Sequence, residues 1–512
     1  MTRAILTLIL TLLTVVNAAA ATPPRRGGGC WRTPKARPKA AARLKSPRRA
    51  DENTATGYYG RKKGLVILAE FTDKQFLGTH GPEKYNEILN TPGYTTAEGF
   101  KGSVADYFLE QSNGLFELQF DVVGPFTTKY NYAYYGKNDS YGYDMRAEEM
   151  VIEMCKAADE LVDFNDYDWD GDGEVDEVFV VYAGKGEADA GSTNLIWPHM
   201  WTLDEAEKEL ILDGAKINVY ACSNEIDSRG RICGIGTFCH EFSHCLGLPD
   251  LYDTVGNNDG MGEFDVMDTG LYEGNAFTPV GYNAYEKMVC GWLEPIVLAG
   301  SDVSVDSLPP LSVGGQSYII FNDAWPDEYY MVENRQRSGC DVAFPAVGLM
   351  ITHIDYDEDV WLYNIVNSNV DEQQATELDL GTTNDHERVT FFNAGSRFSP
   401  KLFPYLRKDS LTAQSTPAAT LFHRNGNGTL MMQGAIIDIT QNQGGTVSFL
   451  YRAQTPYPVT AVIQPKVSDA RGVAPEGSKQ RAYTLDGRAI NADATSQLRH
   501  GIYIIDGRKV VR

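Results

Sequence analysis

Cys239-His240-Glu241-Phe242-Ser243-His244-Cys245-Leu246-Gly247-Leu248-Pro249-Asp250 contains the pattern H-E-x-x-H, followed by a glycine and an aspartate. On a helix, His240 and His244 stand one turn apart and leave the same face. Two neutral imidazole nitrogens aimed at one point suit a zinc ion, and Glu241 beside them is placed to take a proton from a metal-bound water. Gly247 allows a left-handed turn that ends the helix and swings Asp250 back toward the metal. Helix, stop and third ligand thus come from one short stretch. The plainer alternative, a solvated pair of histidines, leaves Gly247 and Asp250 unexplained.

The spacing H-E-x-x-H-x-x-G-x-x-D resembles the metzincin pattern, with Asp where the commonest version has a third His. That pattern also requires a methionine turn beneath the metal, for which Met267 is the candidate. The rival is a gluzincin arrangement completed by Glu263. Gly260, Gly262 and Asp265 around Glu263 make a poor helix, which favours Asp250. Tyr272 is a candidate donor to a developing oxyanion, an ordinary packed tyrosine being the plainer reading.

A second motif lies upstream, at Asp166-Tyr167-Asp168-Trp169-Asp170-Gly171-Asp172-Gly173-Glu174-Val175-Asp176. Alternate carboxylates at Asp168, Asp170 and Asp172, with Asp176 beyond them, can wrap a hard cation such as Ca²⁺ around the turn that Gly173 permits. It is not a full EF-hand, because the twelfth position from Asp168 is Phe179. A solvated acidic loop is the alternative.

At 512 residues the chain is long enough for two or three domains. Residues 1–20 combine Arg3, an apolar run and small residues, as an export signal does. No other stretch is apolar enough to span a bilayer, so a soluble, secreted or cell-surface protein is expected. Residues 21–56 read as a basic pro-segment or linker: ten basic side chains and no acid lie within 22–50. Beyond position 50 lie all 69 acidic residues and 34 of the 45 basic ones, a balance near −35 that argues against nucleic acid as a partner. Eight cysteines in an exported chain permit disulfides, and Cys222 and Cys233 are placed to close a hairpin. Cys239 and Cys245 read as small buried residues and Cys30 as a bystander rather than an inhibitory thiolate.

Apolar runs and alternation predict strands at 64–71, 116–126, 178–182 and an edge piece at 195–197. Helices are expected at 103–112, capped by Ser103 with Asp106, across 143–162, and from about Thr237. These make an α+β catalytic domain over 57–295. A β-rich domain over 296–453 follows, with strands near 316–322, 329–333, 347–355 and 446–451, and with His353 as a packed or hydrogen-bonded histidine. A linker at 454–479 leads to a small β module at 480–512, whose two related pieces each run into an Asp-Gly turn.

Together these pieces resemble the M6 family of secreted metallopeptidases, the immune inhibitor A-like group. The likeness rests on residues 65–71, 103–114, the acidic loop leading into 178–184, and Ile196-Trp197-Pro198-His199. The zinc motif with Pro249-Asp250-Leu251-Tyr252-Asp253, and Asp265-Val266-Met267, continue it. Gly291-Trp292-Leu293, Glu333-Asn334-Arg335 and residues 348–355 extend it into the second domain. The resemblance implies a zinc endopeptidase acting on proteins or peptides, with His240, His244 and Asp250 as ligands and Glu241 as catalytic acid/base. The C-terminus resembles the sorting domains of type IX secretion substrates through residues 501–505 and Arg508-Lys509-Val510-Val511, which implies recognition by secretion machinery. The expectation is therefore a secreted zinc endopeptidase. Its rivals are a non-catalytic, metal-stabilised surface adhesin and an aminopeptidase using Glu263.

Overall fold

The computed structural model describes residues 58–453 apart from 141, 257 and 379, together with strand positions within 482–511. The expected export signal, the basic segment and Cys30 lie outside the described residues. Among the described residues, no helix is long and apolar enough to cross a membrane.

The central sheet is built on β1 (Gly60–Glu70), whose residues Leu65 to Ala69 are wholly buried. It pairs in parallel with β2 (Phe116–Thr127) on one side and β3 (Val178–Lys185) on the other. β3 pairs in parallel with β5 (Val219–Ile226), and β4 (His199–Thr202) closes the edge antiparallel to β5. The order is β2-β1-β3-β5-β4. Because side chains alternate across a strand, such a sheet feeds two cores. Val66, Leu68, Phe179 and Val181 enter one, and Leu65, Ile67, Val178 and Val180 the other.

Helices cover both faces. α1 (Pro82–Asn90) and α2 (Val104–Gln111) serve the first core. The Ser103 side chain accepts from the Asp106 amide, and the Asp106 carboxylate accepts from the Ser103 amide, completing the anticipated capping box. α3 (Ala147–Ala158) serves the second core through Met150, Val151 and Met154. It is shorter than the 143–162 expected, because Met145 and Leu161 fall outside its buried stripe and remain exposed. The expected edge piece at 195–197 is also displaced. Trp197 gives its amide to the Asp144 carboxylate, Pro198 has none to give, and strand pairing begins only at His199.

Beyond α4 (Gly236–Cys245) and α5 (Ala284–Val289), strands β6 (Ile296–Val297), β7 (Val303–Leu308), β8 (Tyr318–Phe321), β9 (Glu328–Arg335) and β10 (Gly348–Asp355) lead to α6 (Glu358–Leu362). β11 (Val389–Phe391), β12 (Ala435–Gln441) and β13 (Val447–Arg452) follow. They form one sheet of order β11-β10-β9-β8-β6 and another of order β7-β13-β12. Alternation along β9 sends Tyr329 and Met331 into the core shared with α4, and Tyr330 and Val332 into a third core between the two later sheets. Residues 58–453 are therefore packed as one unit. Arg335, fully buried, fastens the seam. Its guanidinium donates to the carbonyls of Gly281 and Tyr282, pairs with Glu333 and Asp341, and lies over the Phe344 ring.

A separate unit holds the strands Ala482–Thr484, Ala489–Ile490, Ile502–Ile505 and Arg508–Val511, which pair antiparallel in a four-stranded sheet.

Candidate metal centre

α4 presses close to its surroundings at its first turn. A side chain at Gly236 would meet the Leu271 carbonyl oxygen at 1.9 Å, so only glycine fits. Phe238 stacks on Phe179 of the central sheet at 3.7 Å, and Phe242 packs against Phe108 at 4.8 Å. These contacts point the opposite helix face, with His240 and His244, away from the sheet.

The two imidazoles are oriented from behind. His240 Nδ1 lies 2.8 Å from the Val266 carbonyl and His244 Nδ1 2.7 Å from the Leu248 carbonyl. A carbonyl only accepts, so each Nδ1 carries the proton and each Nε2 keeps its lone pair. Gly247, at φ 92°, gives its amide to the His244 carbonyl and turns the chain back. Asp250, wholly buried, then brings Oδ1 to 3.2 Å from both Nε2 atoms. That oxygen has no hydrogen-bond partner. Three electron-rich atoms facing one another in a buried site fit a cation at their centre, and two nitrogens with one carboxylate oxygen fit zinc.

Glu241 is 5 % exposed, and burial pushes its carboxyl up to about 8. It lines a cleft with His240, Tyr252, Asp268, Leu271 and Tyr272. Tyr272 is thus on the cleft wall rather than in the core, and 37 % exposed. Met267 is fully buried, takes Asp265 Oδ1 on its amide and accepts from the Leu251 amide, tying the turn beneath the histidines to the chain beyond Asp250. Glu263 sits exposed on a short turn, outside the His240–His244–Asp250 group. Asp268 in the cleft wall was not anticipated. Nothing in its local sequence sets it apart, and it reaches the cleft because its carboxylate caps the amides of Gly262 and Thr269.

The acidic loop brings ligand atoms of Asp168, Asp170 and Asp176 within 4.8 Å of one another. Asp172 is not in this group, and its carboxylate instead accepts from the Glu174 amide. The described cysteines are all free thiols, so Cys222 and Cys233 are not bridged. Cys222 faces His199, and Cys233 accepts from Asn224.

His240, His244 and Asp250 thus form a buried group that could hold a metal, with Glu241 beside it. Residues 53–290 match the family model "Immune inhibitor A peptidase M6, catalytic domain". The chain is 25% identical over 299 residues to Immune inhibitor A of Bacillus thuringiensis subsp. alesti, covering 47% of this chain and 42% of that protein. It is 27% identical over 274 residues to the Pre-pro-metalloprotease PrtV of Vibrio cholerae serotype O1, covering 44% of this chain and 29% of that protein. The chain thus spans less than half the length of these curated relatives. Over residues 53–290 the chain is thus similar to the M6 peptidase catalytic domain.

Proposed function

We propose that this chain is a secreted zinc-dependent endopeptidase that hydrolyses peptide bonds in proteins. The observation that carries the reading is the meeting of His240 Nε2, His244 Nε2 and the unpartnered Asp250 Oδ1 at one buried point beside Glu241. Those three atoms would hold zinc, which when bound lowers the pKa of a water and polarises the scissile carbonyl. Glu241 takes the proton from the attacking water and delivers it to the departing amine. Tyr272, protonated at neutral pH as any tyrosine is, stands on the same wall and donates to the carbonyl oxygen of the substrate. An adhesin with a purely structural metal has no use for Glu241 in that place.

Asp168, Asp170 and Asp176 supply a Ca²⁺ site in the same proposal, without Asp172. Calcium should raise the melting temperature of the native chain, and Asp168→Ala should remove that increment while leaving zinc content unchanged. The export signal and the C-terminal sorting role complete the proposal, and the ends of the secreted protein, read by mass spectrometry, test both.

The decisive experiment follows denatured casein with and without a zinc chelator, beside Glu241→Ala. Internal cleavage that needs both zinc and Glu241 is expected. Cleavage that survives either loss would remove the mechanism.

A further inference from the structure

His240 and His244 are held by their helix and by two carbonyls, but Asp250 stands six residues past the last histidine on a loop, and nothing local sets its rotamer. Its anchor comes from far along the chain. Asn364, just beyond α6, meets Asp250 with both ends of its amide. Its Oδ1 accepts from the Asp250 backbone amide at 2.7 Å, and its Nδ2 donates to Asp250 Oδ2 at 2.6 Å. The backbone N–H can only donate, which fixes the amide's orientation and places its NH₂ on the carboxylate. One carboxylate oxygen is thereby occupied, and the other, Oδ1, is the atom left facing the two imidazoles.

Asn364 is 2 % exposed and holds φ 53°, a left-handed conformation that asparagine tolerates far better than most side chains. Its surroundings keep it there. Its amide donates to the Trp361 carbonyl, and its own carbonyl accepts from Thr254 Oγ1 at 3.0 Å. Asn367 and Ser368, both wholly buried, bind the same loop: Asn367 Nδ2 donates to the Leu251 carbonyl, and Ser368 Oγ meets Thr254 Oγ1 and the Val255 amide. Asn367 is fastened in turn to Val389 of β11, on the second sheet. All of these residues of the 364–389 region lie outside the stretch that matches the family's catalytic domain.

We infer that Asn364 is a positioning residue for the third metal ligand, so that the metal centre is built jointly by residues 236–250 and a clamp at 364–368. This rests on Asp250 being a zinc ligand. Partners that orient a ligating side chain typically change metal affinity about 10–100-fold when removed. An aspartate at this position would still tolerate the left-handed turn and still accept from the Asp250 amide, but would set a second carboxylate against the first. A glycine would keep the turn and remove both bonds.

The test uses the full-length protein and measures zinc affinity by competition with a chromogenic chelator, together with the fold of the metal-free form by circular dichroism. Asn364→Gly and Asn364→Asp are expected to weaken zinc about 10–100-fold in natively folded protein, with casein hydrolysis recovering when zinc is raised to saturation. Thr254→Val, which removes a bond to the Asn364 main-chain carbonyl but leaves both bonds between the Asn364 side chain and Asp250, is expected to weaken zinc less than either Asn364 variant. Wild-type affinity in either folded Asn364 variant overturns the inference, and so does an equal weakening in Thr254→Val. Asp250→Ala separates the two levels. If it binds zinc as the wild type does, the assignment of Asp250 as ligand fails, whatever Asn364 shows.

Discussion

Among the described residues, two places aim two histidines at one aspartate oxygen, and they are built differently. In the first half, His240 and His244 approach Asp250 Oδ1 at 3.2 Å each. In the second half, His386 and His423 approach Asp355 Oδ2 at 3.0 and 3.1 Å. The difference lies behind the rings. The first pair gives Nδ1 to carbonyls, which leaves lone pairs facing the carboxylate and a place that only a cation satisfies. His386 instead meets carboxylates at both nitrogens, with Asp385 2.6 Å from its Nδ1, and Arg388 already sits 2.9 Å from Asp355 Oδ2. A guanidinium already occupies that cluster. What distinguishes the two groups is therefore the convergence of ligand atoms, all within 4.8 Å of one another in the first group and not in the second, together with what the far nitrogens meet and the guanidinium already present in the second.

Removing the two aspartates breaks the comparison most sharply. Asp250→Ala should strip zinc and abolish casein hydrolysis, whereas Asp355→Ala should leave zinc content at wild-type stoichiometry and lower stability instead. Zinc content by mass spectrometry, set beside a denaturant melt, reads both. Zinc lost equally from the two variants would erase the distinction. Within the first cluster, Glu241→Gln separates holding from chemistry. Turnover should fall about 10²–10⁴-fold, the usual contribution of a general acid/base, with zinc retained.

These contrasts also show what a linear reading can reach. His240, His244, Gly247 and Asp250 were legible because helix period and a glycine stop bring them together within eleven residues. The Ser103–Asp106 cap and the apolar run in β1 were legible for the same reason: each is a local device. The pairing of Asp250 with Asn364 spans 114 residues, and that of His423 with Asp355 spans 68. Neither has a spacing signature, because sheet topology brings the partners together rather than local geometry. The misplaced edge strand teaches the same lesson on a smaller scale. The apolar triplet Leu195-Ile196-Trp197 looks like a strand, yet the Asp144 carboxylate takes the Trp197 amide and pairing waits until His199. Asp172 alternates with its neighbours as a ligand would, but its carboxylate lies outside the group that Asp168, Asp170 and Asp176 form.

A third change sharpens the comparison at the second cluster. Arg388 is largely buried against Asp355 and Asn384, so Arg388→Met leaves a buried carboxylate short of its cation. Breaking such a pair from one side costs about 3 kcal/mol, which a urea melt should show as a lower midpoint with an unchanged slope. Zinc affinity should not move.

The smallest effect is the response to acid. Burial works against charge on Asp355, but its bonds to His386 and Arg388 hold its carboxyl below the ordinary value. A carboxyl whose folded pKa is depressed contributes stability that is fully present above the unfolded pKa, near 4, and is lost as pH falls through the lower folded value. The wild type should therefore lose stability below about pH 4 more steeply than Asp355→Asn, which has no proton to take up at that position. Urea midpoints of the two proteins measured from pH 6 down to pH 3, both without metal so that zinc release does not enter, give the comparison directly. Parallel curves would mean that Asp355 titrates alike in the folded and unfolded chains, and that its two histidines and arginine do not stabilise its charge.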